Sequence, residues 1–240
     1  MTRFAVIADV HGNRWALEAV LEDIARRGIR DIVNAGDHLF GPLDPAGTAD
    51  LLMRLDLPGV AGNQDRELVE GQPANHAVLS APHREWLASL PVRLELPGEI
   101  LLFHGTPELD NVYLLESVRN EGAVSLATIA EIYVRLGNLP QSLLLCGHTH
   151  IPRAVGVGGR LIVNPGSVGL QAYADDLPEP HVMETGSPHA RYAILQQSET
   201  GWRVEHLAID YDFEAAAQTA ERNRRPDWAW RLRTGRVAAK

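Results

Sequence analysis

The sequence predicts an α/β protein in which two β-sheets pack face to face with helices on their outer sides. Two observations carry this reading. Over the first 65 residues, short apolar runs alternate with helically spaced segments, which is the pattern of βαβ units and a parallel sheet. From residue 92 onward the apolar runs come in pairs joined by turn dipeptides, which is the pattern of hairpins. A sheet wound by crossover helices throughout would need helices in the second half, and that half lacks them.

Taken in order, Phe4 to Ala8 reads as a buried strand closed by Asp9-Val10-His11-Gly12-Asn13. Trp15, Leu17, Val20, Leu21 and Ile24 carry helical spacing, and Gly28 stops it. Asp31 to Ala35 is a second strand ending in Gly36-Asp37, Pro45 to Leu55 a helix, and Pro58 to Ala61 a third strand ending in Gly62-Asn63-Gln64-Asp65. A turn-rich loop at Gly71 to Asn75 precedes a short helix over Pro82 to Leu90. Pro97-Gly98 joins strands Val92 to Leu96 and Ile100 to Phe103, the second ending in His104-Gly105. Glu121 to Leu136 reads as one amphipathic helix closed by Gly137-Asn138. A strand over 142–146 runs into Gly147-His148-Thr149-His150. Gly158-Gly159 joins strands Arg153 to Val157 and Arg160 to Val163, followed by Asn164-Pro165-Gly166-Ser167. The Pro, Asp and Gly content of 170–190 predicts a long loop. A last hairpin covers Arg191 to Gln196 and Trp202 to Ile209. A charged helix then covers Phe213 to Arg225, with Pro226 breaking it and a final turn at 227–230.

Composition narrows the function classes. The chain has 240 residues, of which 45% are hydrophobic, and a net charge of −9. That is an ordinary globular composition, read here as a single domain over 1–240 with 212–240 as a helical tail. The negative balance lacks the basic footprint of a nucleic-acid binder. Cys146 is the lone cysteine, so no intrachain disulfide is possible. The N-terminal apolar run is broken by Asp9, and no run approaches membrane-spanning length, so a cytoplasmic protein without membrane partners is expected.

The chemistry gathers at the strand ends. Asp9, His11, Asp37, Asn63, His104, His148 and His150 are all oxygen or imidazole donors, supplied by five separate strand ends. In open α/β sheets that carboxyl edge is where ligands bind. The donor mix suits manganese, iron, zinc, nickel or cobalt better than copper(I), magnesium or calcium. Seven donors are too many for one tetrahedral ion, but two ions can share them.

Asp9-x-His11, Gly36-Asp37, Gly62-Asn63-x-Asp65, His104-Gly105 and Gly147-His148-x-His150 stand in an order that resembles the calcineurin-like metallophosphoesterases, and among them the small bacterial and archaeal phosphodiesterases. The resemblance runs from residue 4 to about 169. It implies a four-layer αββα sandwich of two mixed sheets, and a centre of two divalent ions with manganese as the first expectation. It also implies that Asp9, His11 and His150 hold one ion, that Asn63, His104 and His148 hold the other, and that Asp37 bridges them. A hydroxide between the ions would be the nucleophile on a small nucleotide-type phosphoester. A protein phosphatase, a dinucleoside-polyphosphate phosphatase, or a non-catalytic scaffold like a related eukaryotic retromer subunit are the alternatives. The protein-phosphatase branch carries a further Asp-Arg-Gly after the motif aspartate, which Gly36-Asp37-His38-Leu39-Phe40-Gly41-Pro42 lacks.

One position departs from the family pattern. Where a histidine usually follows the motif asparagine to assist the leaving group, this chain has Gln64. An amide cannot supply a proton at neutral pH. Good leaving groups, or an acid borrowed from His38, are therefore expected, with Asn63, Gln64, Asp65 and His38 as the catalytic candidates. Asp65 either orients a neighbour by hydrogen bonding or caps the next helix. For substrate contact the candidates are Asn13, Ser167, Asn111 and Tyr113, with Tyr173 and His181 also in reach of a nucleoside. Ser167 either meets phosphate or belongs to a plain turn. Trp228 and Trp230 sit among Arg222, Arg224, Arg225, Arg231 and Arg233. The net charge favours a helix docking its tryptophans on the body, or on a second copy of the chain, over a nucleic-acid stripe.

Overall fold

A computed structural model describes residues 2–71 and 79–238. Two mixed sheets form its centre. The first has the order β13-β12-β1-β2, where β1 is Arg3–Ile7, β2 Ile32–Asn34, β12 Ala190–Ser198 and β13 Gly201–Ile209. The second has the order β3-β4-β7-β9-β8, comprising Arg93–Leu96, Ile100–Phe103, Leu143–Leu145, Arg160–Asn164 and Arg153–Val157. In the first sheet β1 and β2 are parallel while β12 is antiparallel to both β1 and β13; in the second β4, β7 and β9 are parallel and their hairpin partners β3 and β8 antiparallel.

Period-2 alternation assigns each strand's side chains to two cores. Phe4, Val6, Val33, Ala193 and Leu195 of the first sheet meet Ile100, Leu102, Leu143, Leu145 and Val163 of the second. On the outer face of the first sheet, Ala5, Ile7, Tyr192 and Ile194 receive helix α1 (Arg14–Arg26), α6 (Phe213–Arg222) and α7 (Pro226–Thr234). On the outer face of the second, Leu101, Phe103, Leu144 and Ile162 receive α5 (Ile129–Leu136). The result is helix, sheet, sheet, helix, as expected. Helices α2 (Pro45–Leu55), α3 (Asn63–Glu70) and α4 (Ala81–Ser89) close a smaller core around Leu39, Leu68 and Leu87. Among the described residues no helix is long and apolar enough to cross a membrane.

Four expectations about elements need correction. The helix over Glu121 to Leu136 begins only at Ile129. Thr128 and Glu131 form a reciprocal capping box, with Thr128 N donating to Glu131 Oε2 at 2.7 Å and Glu131 N to Thr128 Oγ1 at 3.3 Å. Upstream, Glu121 and Gly122 both take positive φ, and Ala123–Leu126 is a strand, β6, paired with β5 (Glu116–Arg119). The loop over 170–190 contains a hairpin, β10 (Ala172–Asp175) with β11 (His181–Glu184), whose short alternating runs are masked by the prolines of its turn. The third strand near Pro58 is reduced to one bridge, Asn34 to Gly59, since Pro58 has no amide to donate. The tail helix ends at Arg222, and the expected turn after Pro226 is the full helix α7, with Trp228, Ala229 and Leu232 buried. Most of the loop expected at Gly71 to Asn75 lies outside the described residues.

Candidate metal centre

The seven donors converge at the carboxyl edges of both sheets. β1 delivers Asp9 and His11, β2 Asp37, β4 His104 and β7 His148 and His150, while Asn63 opens α3. All seven are buried. The backbone follows Asp9, His11, Asp37, His148 and His150 through positive φ, between 51° and 72°. Left-handed conformations are uncommon for residues with a Cβ and concentrate at functional sites. Gly147-His148-Thr149-His150 is accordingly not a strand continuation with alternating side chains. It is a sharp loop whose two left-handed histidines turn both rings inward. Asn164 pins that loop, its Nδ2 donating to Gly147 O at 2.7 Å and Thr149 Oγ1 at 3.1 Å.

Two groups emerge: Asp9, His11 and His150, and Asp37, His104 and His148, each with ligand atoms within 4.8 Å of one another. The Asp37 carboxylate lies between them, with Oδ2 3.8 Å from His11 Nε2 and 3.3 Å from His104 Nε2. Asn63 Oδ1 is 3.2 Å from His104 Nε2, which adds it to the second group. Backbone amides hold both carboxylates. Gln64 N donates to Asp37 Oδ1 at 2.9 Å, and His148 N reaches both Asp9 oxygens at 3.2 Å.

The tautomers test whether a cation fits. His11 Nδ1 lies 3.0 Å from Phe40 O, His150 Nδ1 2.6 Å from Leu170 O, and His104 Nδ1 2.7 Å from Ala35 O. A carbonyl only accepts, so each Nδ1 carries the proton, as ligating histidines commonly arrange. In the neutral rings Nε2 is then a bare lone pair, yet His11 Nε2 and His150 Nε2 face each other at 3.1 Å. A cation between them reconciles two lone pairs at that distance, so the residues suit a dinuclear metal site. Close packing protects this geometry: a Cβ on Gly36, whose φ is +99°, would stand 2.8 Å from both Gly62 N and His104 Nδ1, and one on Gly62 would fall on Asp37 Oδ1.

Electrostatics give the same sign. Burial alone would raise the Asp37 pKa, but the histidines around it, His104 foremost, hold it well below the usual carboxylate range. Burial alone would lower the His104 pKa, but Asp37 and then Asp9 push it up to about 10. Burial, then repulsion from His104, lowers His148 to about 4, and burial with His150 lowers His11. At neutral pH the metal-free His104 is therefore protonated, while His11 and His148 are free to ligate. A metal must displace that proton. Loading at pH 7 is expected to release the His104 proton, seen by calorimetry in buffers of different ionisation enthalpy, and affinity should rise as pH climbs toward 10. Proton-neutral loading would contradict this.

The remaining candidates fall in different places. Gln64 lines the cavity over the two groups, a space of about 310 Å³, and also an adjoining one of about 570 Å³. Asn111 and Tyr113 line the second space, and the Tyr113 ring packs on His148 with centroids 4.8 Å apart. Tyr113 OH also meets His181 Nε2 and Tyr173 OH, each at 2.9 Å, so Tyr173 and His181 brace it. His38 does not reach the cavity. Its Nδ1 bonds Asp65 Oδ2 at 2.7 Å and its ring packs edge-on to Trp86, so the notion of an acid borrowed from His38 is corrected. Asp65 faces protein on all sides. It accepts from the amides of Asp37, His38 and Gly62 as well as the His38 ring, and so both orients the loop and caps α3. Asn13 caps α1 through Ala16 N and donates to Gly169 O and Tyr211 OH, which leaves no group for substrate. Ser167 is fully buried, donating to Asp9 O and accepting from Leu170 N, and is a turn brace. Sequence reasoning placed Arg225, Trp228 and Arg231 on a docking helix without connecting them to the site, yet all three line the 310 Å³ cavity.

Residues 2–185 match the family model described as the calcineurin-like phosphoesterase superfamily domain. An uncharacterised protein of Methanocaldococcus jannaschii is 26% identical over 93% of this chain and 94% of its own. A metallophosphoesterase from Sphaerobacter thermophilus superposes with a TM-score of 0.75 at 25% identity, covering 98% of this chain and 99% of that one. A hypothetical protein of Pyrococcus horikoshii superposes with a TM-score of 0.72 at 18% identity, covering 99% and 100%. With its motifs seated at the edges of two packed mixed sheets, this chain belongs to the calcineurin-like phosphoesterase superfamily.

Proposed function

We propose that the protein is a dinuclear metal-dependent phosphodiesterase acting on a small nucleotide-type phosphoester. The supporting observation is the Asp37 carboxylate set between two buried His/Asp groups under a cavity of about 310 Å³, within the range of small-molecule sites. In this reading Asp9, His11 and His150 hold one ion, Asn63, His104 and His148 the other, and Asp37 both. Manganese is the first expectation. Two such ions, when bound, acidify water and neutralise charge on the phosphoryl oxygens. The chain itself fixes the donors. The Nδ1–carbonyl bonds keep each Nε2 directed inward, and the amides of Gln64 and His148 set the carboxylates. Gln64 Oε1 is buried without a hydrogen-bond partner, so its amide is placed to meet a substrate donor but supplies no acid. Tyr113, with its pKa pushed up by burial, stays a neutral hydrogen-bonding wall.

Aryl phosphodiesters with leaving groups of graded pKa test the reading. The chelator-treated protein is expected to be inactive and to recover with manganese, with two ions per chain by metal analysis. Rates should fall steeply as leaving-group pKa rises, because general-acid help of about 10²–10⁴-fold is missing. A chain that binds no metal and turns over none of the series would instead be a scaffold of this fold.

A further inference from the structure

One wall of the cavity over the metal-ligating histidines is made by α7 and its N-cap Arg225. Among the described residues, Arg225 and Arg231 are the only arginines or lysines lining the 310 Å³ cavity, and Phe40, Tyr173 and Trp228 give it aromatic surfaces. Trp228 anchors this wall: its ring lies edge-on to His11 with centroids 6.1 Å apart, and Arg225 sits 5.6 Å above it. The guanidiniums share one carboxylate. Asp227 accepts from Arg225 Nε at 2.9 Å and Nη2 at 2.8 Å, a bidentate pair. Arg231 is left with a single contact to Asp227 Oδ2 at 3.5 Å, although its side chain is only 16% exposed. A half-buried guanidinium has five donors to satisfy. None of its nitrogens is both sealed from solvent and unpaired, so its remaining N–H groups are available to a ligand. The adjoining 570 Å³ space has the opposite character, with Glu67, Glu116 and Glu131 against Arg135, and Asp175 stands where the two spaces meet. An anion crossing the centre is therefore directed toward α7.

We propose that Arg225 and Arg231 form a second phosphate subsite beside the metal groups, so that the ligand carries at least one phosphate beyond the one over the metals, as in a nucleoside diphosphate moiety. Planar forks are suited to bidentate phosphate contact, and Trp228, Phe40 and Tyr173 offer flat faces to the attached nucleoside. This rests on the reading of the centre as a phosphoesterase site.

AMP and ADP are the probes, titrated calorimetrically into the full chain loaded with manganese. They differ by one phosphate, so the change in their affinity ratio on substituting an arginine reports the subsite. Wild type is expected to prefer ADP, and Arg231→Gln or Arg225→Gln to cut that preference about tenfold each, the worth of one charge-assisted bond. Arg231→Lys should restore part of it. No preference in wild type, or a preference that survives both substitutions, overturns the proposal. Should Arg231→Gln unfold by circular dichroism, Arg225→Gln, at the less buried of the two positions, decides alone. A chain with arginine-dependent ADP preference but no phosphoester turnover refutes the catalytic reading and leaves the subsite standing. A chain that turns over diesters without the preference does the reverse.

Discussion

Asp37→Asn is expected to reduce phosphodiester turnover by about 10³-fold or more, and to lower bound metal below two ions per chain. The carboxylate lies 3.8 Å from His11 Nε2 and 3.3 Å from His104 Nε2, so it reaches both groups, and more closely to His104 than Asp9 does at 3.9 Å. An amide keeps the shape and removes the negative charge. Two cations held close together then lose their shared anion, and stabilisation worth several kcal/mol is withdrawn at about 1.4 kcal/mol per tenfold in rate. Backbone support is kept, since Gln64 N can still donate to the Asn oxygen in the Oδ1 position. Metal analysis and kcat on the same preparation check this. Full turnover with two ions bound would remove Asp37 from the bridging position.

Asp65→Ala should destabilise the fold by about 3–5 kcal/mol, the range for leaving buried charged partners uncompensated. Asp65 is fully buried and is met by three backbone amides and the His38 ring at 2.7–3.0 Å. Alanine would orphan the amides of Asp37, His38 and Gly62 together, and two of these residues carry or touch the bridging carboxylate. The loss should show in denaturant unfolding of the metal-free chain. Asp65→Asn, which keeps acceptor capacity on one atom, should fall between. An Asp65→Ala chain as stable as wild type but inactive would return Asp65 to a catalytic role.

The donors and their strand ends were legible because each lies in a short motif directly after an apolar run, and the sheet carries that edge to one place. Direction within a loop was not legible. His38 follows Asp37 directly, and Asn13 lies two residues beyond His11, yet both face protein, because a left-handed residue turns the chain by an amount no spacing reveals. The start of α5 was present in the sequence as Thr128-x-x-Glu131, but apolar spacing over Glu121 to Leu136 obscured it. The place of α7 in the cavity wall depends on how α6 and α7 fold back over the first sheet, a long-range contact that local pattern does not encode.

The left-handed backbone at Asp9, His11, Asp37, His148 and His150 limits which residues this centre could ever contain. Glutamate and cysteine coordinate divalent ions as readily as aspartate and histidine. Each ordinary side chain forced into that conformation costs roughly 1–2 kcal/mol, whereas Asp, Asn and His are the types that tolerate it best. The donor alphabet is therefore filtered twice, once by affinity for the ion and once by the torsion angle. Retuning the centre to another metal by ligand exchange is open only within the small set that passes both.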